Sequence, residues 1–351
     1  MKVAIDAQQT IGTATGIGEY VRGLLTALPG AGVEALALRA PGFDPWRFDR
    51  RVVWDQALLP FAALRSGAQL LHCTSGSVPV LSPLPVVVTV HDVAWLRTQE
   101  HARSYARWYF GRFSARRWRT ACAVIVDSAF SRDELLACTE VDPQRVAVVH
   151  PGVDAAFGRI VRTADSGPVL LAVGTVERRK NIAVVIEALP SVPARLVCVG
   201  PPTPYQAECA ALARRLGVSD RVEFRGYVGR DALLELYARS ALAVVPSRYE
   251  GFGYAAAQAL CAGLPLLAAR SSSLVEVVNG AAPLLDPDDA RAWAEGLLAF
   301  FADRAAAEER ARAARARSIA RFGWENSAGA TAAVYRSALE SLVNRRARAA
   351  G

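Results

Sequence analysis

Three consecutive cations, Arg178-Arg179-Lys180, sit on a short loop between the apolar run 168–173 and a helical stretch. At a strand's mouth they repel one another unless they are solvated or face an anion. A diphosphate suits a lysine as point charge and an arginine as bidentate clamp. A solvated loop explains Arg178 more readily than Lys180. Further on, Glu250-Gly251-Phe252-Gly253 follows the apolar run Ala241 to Val245. It opens an alanine-rich helix that leaves through Gly263-Leu264-Pro265. A helix start offers backbone N–H groups and a positive dipole end to an anion. An acid just ahead of it either caps the helix or serves a ligand's hydroxyls, and the flanking glycines favour the second. The third candidate is His91-Asp92, closing the run Val86 to Val90. A lone histidine is more often structural, but the carboxyl ends of parallel strands are where such sheets bind ligands.

These residues need a frame. After a first strand ending near Asp6, strand-like runs cover 33–38, 69–72, 86–90, 123–126 and 146–149. A second series covers 168–173, 196–199, 221–225, 241–245, the run after Pro265, and 282–285. Helical stretches alternate with them, which predicts βαβ units and parallel sheets, an α/β class. Pro151-Gly152-Val153-Asp154 and the polar stretch from Arg162 to Gly167 mark a boundary. The expected domains are 1–155 and 156–325, with a last helix over 326–351 near Trp324-Glu325. The loop from Gln8 to Gly18 has glycines at 12, 16 and 18, not the spacing of a dinucleotide fingerprint. Ser131 with Glu134 reads as a capping box, and Ser128 as a cap or turn.

At 351 residues the chain suits two domains. Hydrophobic residues make up 52% and charged ones 21%, enough to bury parallel sheets. Six cysteines without paired spacing read as core residues of a reducing compartment. Neither a secretory h-region nor a membrane-spanning run is visible, so the expected location is cytoplasmic, soluble or peripheral. The net charge of +8 concentrates in one stretch. There Arg97, Arg103, Arg107, Arg112, Arg116, Arg117 and Arg119 stand against Glu100 alone, with Tyr105, Trp108, Tyr109, Phe110, Phe113 and Trp118 between them. Residues 105, 108, 109 and 113 are expected on one helical face. That face meets an anionic membrane surface or its own domain. Clustering in one segment argues against nucleic acid.

Several motifs together resemble one family. PSRYEGFG at 246–253, GTVERRKN at 174–181, HD at 91–92, GIGEY at 16–20, HPGVD at 150–154 and FGWENSA at 322–328 are similar to those of family-4 retaining glycosyltransferases, the mannosyltransferase-like glycosyl transferases group 1. The resemblance spans nearly the whole chain in the family's order. It implies a GT-B fold, two Rossmann-like domains facing across a cleft, the first binding acceptor and the second a nucleotide-diphosphate sugar. Glu250 resembles the first acid of the family's E-x7-E motif, near the sugar hydroxyls. Gly251, Phe252 and Gly253 would present backbone N–H groups to sugar and phosphate. Lys180, with Arg179, matches the cations at the diphosphate, His91 the histidine near the donor sugar, and Gly16 and Gly18 the glycine loop.

Two positions depart from the pattern. Gln258 stands where many members have a second glutamate accepting ribose hydroxyls, and Thr175 where one branch has an arginine. The resemblance implies transfer without a metal or cofactor. The implied acceptor is a saccharide or lipid-linked saccharide, in polysaccharide or glycan biosynthesis. The GTxExRKN form associates with GDP-mannose first and UDP-sugars next. Two other classes stand beside this one: a catalytically impaired nucleotide-sugar-binding protein, with Gln258 as its sign, and a nucleic-acid-binding protein.

Overall fold

The computed structural model describes residues 1–12, 16–44, 47–97, 104–163 and 167–350. Part of the glycine loop (13–15), Glu100 and Arg103 of the arginine-rich stretch, and 164–166 of the polar stretch lie outside the described residues. The chain divides into two compact units, Met1–Gly152 together with Trp324–Gly351, and Val153–Gly323. The first break falls after Gly152 rather than 155. Asp154 caps the short helix Ala155–Gly158, and Phe157 on that helix packs into the second unit's core. The last helix starts at Trp324, two residues before the expected 326, and belongs to the first unit.

The first unit holds strands β1 (Lys2–Asp6), β2 (Glu34–Leu38), β3 (Leu70–Cys73), β4 (Val86–Val90), β5 (Ala123–Val126) and β6 (Val146–Val148). They pair in parallel in the order β2-β1-β3-β4-β5-β6. Every residue of β4 is buried, as a sheet covered on both faces requires. The strand's period of two sorts the side chains. Ala4, Leu71, Val88 and Val124 join one cluster, while Val3, Ile5, Leu70, Val87 and Ile125 join the other. Ala328, Ala332, Tyr335 and Ala338 of the helix Trp324–Ala350 complete the second cluster.

The second unit repeats the plan with β7 (Val169–Val173), β8 (Arg195–Val199), β9 (Val222–Phe224), β10 (Leu242–Val245), β11 (Leu266–Ala269) and β12 (Leu284–Leu285). The order is β12-β11-β10-β7-β8-β9, again parallel. Each sheet reverses its order of growth once, between β1 and β3 and between β7 and β10. Such a reversal splays the outgoing loops and opens a crevice at the strands' carboxyl ends. The loops 174–181 and 246–253 leave β7 and β10 at that point.

Two local expectations are corrected. The helix Ala129–Cys138 is capped by Ser128, whose Oγ accepts the Ser131 N–H at 3.0 Å. Glu134 instead forms a bidentate pair with Arg97 at 2.8 Å, so no Ser131–Glu134 box exists. The aromatic stretch also turns differently. Residues Trp108–Phe113 are π-helical, and the wider turn sends Tyr109 inward while Tyr105 and Trp108 stay exposed.

Candidate active site

In the second unit, Glu250 is buried, and its Oε1 takes hydrogen bonds from Lys180 Nζ at 2.6 Å and Ser247 Oγ at 2.8 Å. Arg179 reaches Oε2 at 3.4 Å, the Tyr249 carbonyl at 3.2 Å and Glu177 at 2.6 Å. Burial alone would raise the Glu250 carboxyl. The charges of Lys180 and Arg179 and the two hydrogen bonds outweigh it and hold it below the usual carboxylate range. Two acids, Glu177 and Glu250, thus balance the two cations that face them. Arg178 turns away onto Glu208 and the Tyr205 ring.

The backbone holds this cluster tightly. Asn181 adopts a left-handed conformation (φ 57°) between the cationic turn and the helix Ile182–Ala188. Asparagine tolerates that region better than most residues. Its Nδ2 bridges the carbonyls of Pro246 at 3.2 Å and Pro287 at 2.6 Å. The Arg248 N–H donates to the Arg179 carbonyl at 2.7 Å, joining the two loops. Ser272 Oγ accepts the Glu250 N–H at 3.0 Å, and Ser273 Oγ donates to its carbonyl at 2.9 Å. Gly251 and Phe252 are buried, and Gly253 precedes the helix Tyr254–Ala262 at φ 94°. A Cβ on Gly253 would lie 2.7 Å from Leu274 Cδ2, so glycine is required there on both counts. Gln258 is half-buried on that helix, its Oε1 accepting the Tyr237 hydroxyl at 3.0 Å. One lone pair of that carbonyl stays open to a second donor.

In the first unit, His91 follows β4 with Nδ1 2.7 Å from Asp127 Oδ2 and Nε2 2.9 Å from the Thr74 carbonyl. Burial disfavours the charged ring, but Asp127, Thr74 and Asp92 together raise its pKa above the ordinary 6.5. Tyr20 meets the ring edge-on, centroids 4.9 Å apart. Gly16 and Gly18 lie in the first turn of the helix Gly16–Ala27 rather than in an open loop. Gly16 is exposed there and Gly18 buried. Asp92 caps its own turn through the Ala94 N–H at 2.9 Å. Among the described residues, no cluster of three His, Cys, Asp or Glu side chains is placed to hold a metal ion.

Comparison with known proteins decides the family. Residues 157–317 match the model described as glycosyl transferases group 1, and residues 14–157 the one described as glycosyltransferase family 4. The D-inositol 3-phosphate glycosyltransferase of Xylanimonas cellulosilytica is 33% identical over 73% of this chain and 67% of its own. The chain belongs to glycosyltransferase family 4. The Streptomyces scabiei protein of the same name is 35% identical over 63% of this chain. The match covers 55% of that relative, so the family-4 chain spans little more than half of its length. Among solved structures, Anabaena HepE in complex with UDP and glucose superposes with a TM-score of 0.76 at 18% identity, covering 96% of this chain and 100% of that one. At that identity the likeness concerns the fold, which is GT-B.

The family-4 motifs leave several supporting residues unmarked. Ser247 and Asn181 lie inside the PSRYEGFG and GTVERRKN motifs and could have been singled out there. The serine run 271–273 stands out in the sequence, but its attachment to Glu250 comes from the fold. Asp127 is legible only as a strand-end acid. The arginine-rich stretch splits in two. Tyr109 stacks on Phe113 (centroids 5.3 Å, 15°) and donates to the buried Asp55 at 3.1 Å, which forms a 2.8 Å pair with Arg51. Tyr105, Arg107, Trp108, Arg112 and Arg116 are exposed. Among the described residues, no helix is long and apolar enough to cross a membrane.

Proposed function

We propose that this family-4 chain is a retaining, metal-independent hexosyltransferase. It moves a sugar from a nucleotide-diphosphate donor to a saccharide or lipid-linked saccharide acceptor in glycan biosynthesis. The donor is assigned to the second unit and the acceptor to the first. The observation that carries this reading is the 2.6 Å pairing of Lys180 with Glu250 where β7 and β10 reverse the sheet order. One contact contains a cation for phosphate and an acid for sugar hydroxyls, and each can exchange its partner for a group of the donor.

The demanding step is departure of the diphosphate, which leaves oxocarbenium-like charge on the sugar. Lys180 and Arg179, fixed by the fold, stabilise the negative charge growing on the leaving phosphate. That cationic pair supports chemistry without a metal. Glu250, engaged by Lys180 and Ser247, suits holding hydroxyls better than attacking the sugar. Retention then follows from reaction on one face, with the leaving phosphate taking the acceptor's proton. GDP-mannose is the donor favoured by the GTxExRKN form, and the UDP bound to HepE makes UDP-glucose its competitor. A thermal-shift screen decides between them, because only the true donor raises the unfolding midpoint through mass action. With that donor, Lys180→Ala lowers turnover about 10²- to 10³-fold and leaves the fold intact. Wild-type rates in that variant would sink the assignment.

A lipid-linked acceptor accords with the exposed face of Tyr105, Arg107, Trp108, Arg112 and Arg116, whose aromatic and cationic groups suit an anionic membrane surface. Flotation with anionic liposomes at low salt tests it, and absence of co-migration counts against peripheral binding.

A further inference from the structure

We infer that Asp127 and the Thr74 carbonyl hold His91 as a doubly protonated, fixed cation at the carboxyl end of β4, with Asp127 as its positioning residue. The hydrogen-bond geometry carries this. A carbonyl oxygen only accepts, so Nε2, 2.9 Å from Thr74 O, bears a hydrogen. Nδ1 lies 2.7 Å from Asp127 Oδ2, and one proton sits between them. Imidazole is ordinarily more basic than a carboxylate by more than two units, so the proton belongs to the ring. The surroundings agree. Asp127 is 2% exposed, and its Oδ1 has no hydrogen-bond partner. Among the described residues, His91 is the one cation within ion-pair distance of it. A buried carboxylate left without a cation would be strongly destabilising.

Every element around the ring contributes. Asp127 follows β5, Thr74 follows β3, Asp92 is the next residue, and Tyr20 packs edge-on from the helix Gly16–Ala27. His72 on β3 is held neutral by burial, its pKa down to about 3, so it places no second charge beside His91. Ser131 Oγ ties down the His91 carbonyl at 3.2 Å. With both nitrogens donating, His91 has no lone pair for abstracting a proton. It can offer positive charge to a nearby oxygen but cannot act as a general base. That role rests on the transferase reading proposed above; the protonation state does not.

Nitrogen-15 NMR of histidine-labelled full-length protein tests the state directly. The chain has four histidines, and His91→Asn identifies the signal. The expected spectrum shows both His91 nitrogens protonated at pH 7 and at higher pH than an ordinary histidine. In Asp127→Asn the His91 titration moves to lower pH, and Asp127→Glu restores it in part. A neutral His91 at pH 7, with the proton on Asp127, overturns the inference, as does an unchanged titration in Asp127→Asn. If Asp127→Asn does not fold, the wild-type spectrum and Asp127→Glu still decide. Under the transferase reading, the alkaline limb of the rate profile moves to lower pH in Asp127→Asn. A chain that binds no nucleotide-sugar removes that reading and leaves the NMR result standing.

Discussion

Glu250 and Lys180 neutralise each other at 2.6 Å, and each stands where a different part of the proposed donor belongs. The pair therefore competes with its own ligand. Glu250→Gln removes a charge from a buried contact and frees Lys180 for phosphate. Nucleoside diphosphate alone should then bind more tightly, by about 1–2 kcal/mol or roughly five- to thirtyfold. Turnover should fall by at least about tenfold, because the sugar hydroxyls lose a charge-assisted acceptor. Calorimetric titration with GDP and UDP, set beside turnover at saturating donor, measures the two effects separately. Weaker diphosphate binding in the variant would show that Glu250 does not oppose the phosphate. The sequence made Lys180 and Glu250 legible because a charge at a strand's mouth needs a reason. Ser247 and Asp127 escaped because a serine or a strand-end acid is ordinary until its partner is known.

At the scale of elements, the strands could be read because parallel sheets buried on both faces demand continuous apolar runs. Among the described residues, each of the twelve strands falls on or within two residues of a run marked in the sequence, although β2 and β9, at the sheet edges, carry Glu34 and Glu223 and are only partly buried. The π-helical stretch Trp108–Phe113 could not be read. Its phase depends on tertiary partners, with Tyr109 drawn to Asp55 and Gln56. Helix docking offers a sharper test. Trp324 lies against Gly23 and Gly152, where added Cβ atoms would stand 2.0 and 2.3 Å from its ring. Gly23→Ala must push the indole aside and should destabilise the protein by about 1–3 kcal/mol. Gly30→Ala, with no neighbour within 4 Å, should change little. Denaturant midpoints of the two variants make the comparison. Equal midpoints would mean that the helix Trp324–Ala350 is not seated on Gly23.

For the whole molecule, the consequence of the topology is that the first unit consists of two distant chain segments. Tyr335 Oη meets His72 Nδ1 at 2.7 Å across 263 residues, and His72 Nε2 continues to Thr89 at 2.7 Å and on to Tyr20 at 3.0 Å. This buried relay ties the last helix to β3, β4 and the helix Gly16–Ala27. Among the described residues, the second unit's core includes none after Phe322. A chain ending at Gly323 should therefore leave Val3, Ile5 and Leu70 uncovered while keeping the second core complete. The bond from Tyr335 to His72 goes as well, leaving a buried ring nitrogen unpaired, a loss of about 1–3 kcal/mol by itself. Hydrogen exchange should then quicken in β1 and β3, with β7 and β10 as protected as in the full chain. The truncated protein should still bind nucleoside diphosphate, since Lys180, Arg179 and Glu250 all belong to the second unit. Lost protection across β7 and β10 would instead make the two cores one cooperative unit, and the last helix would then support the donor site as well.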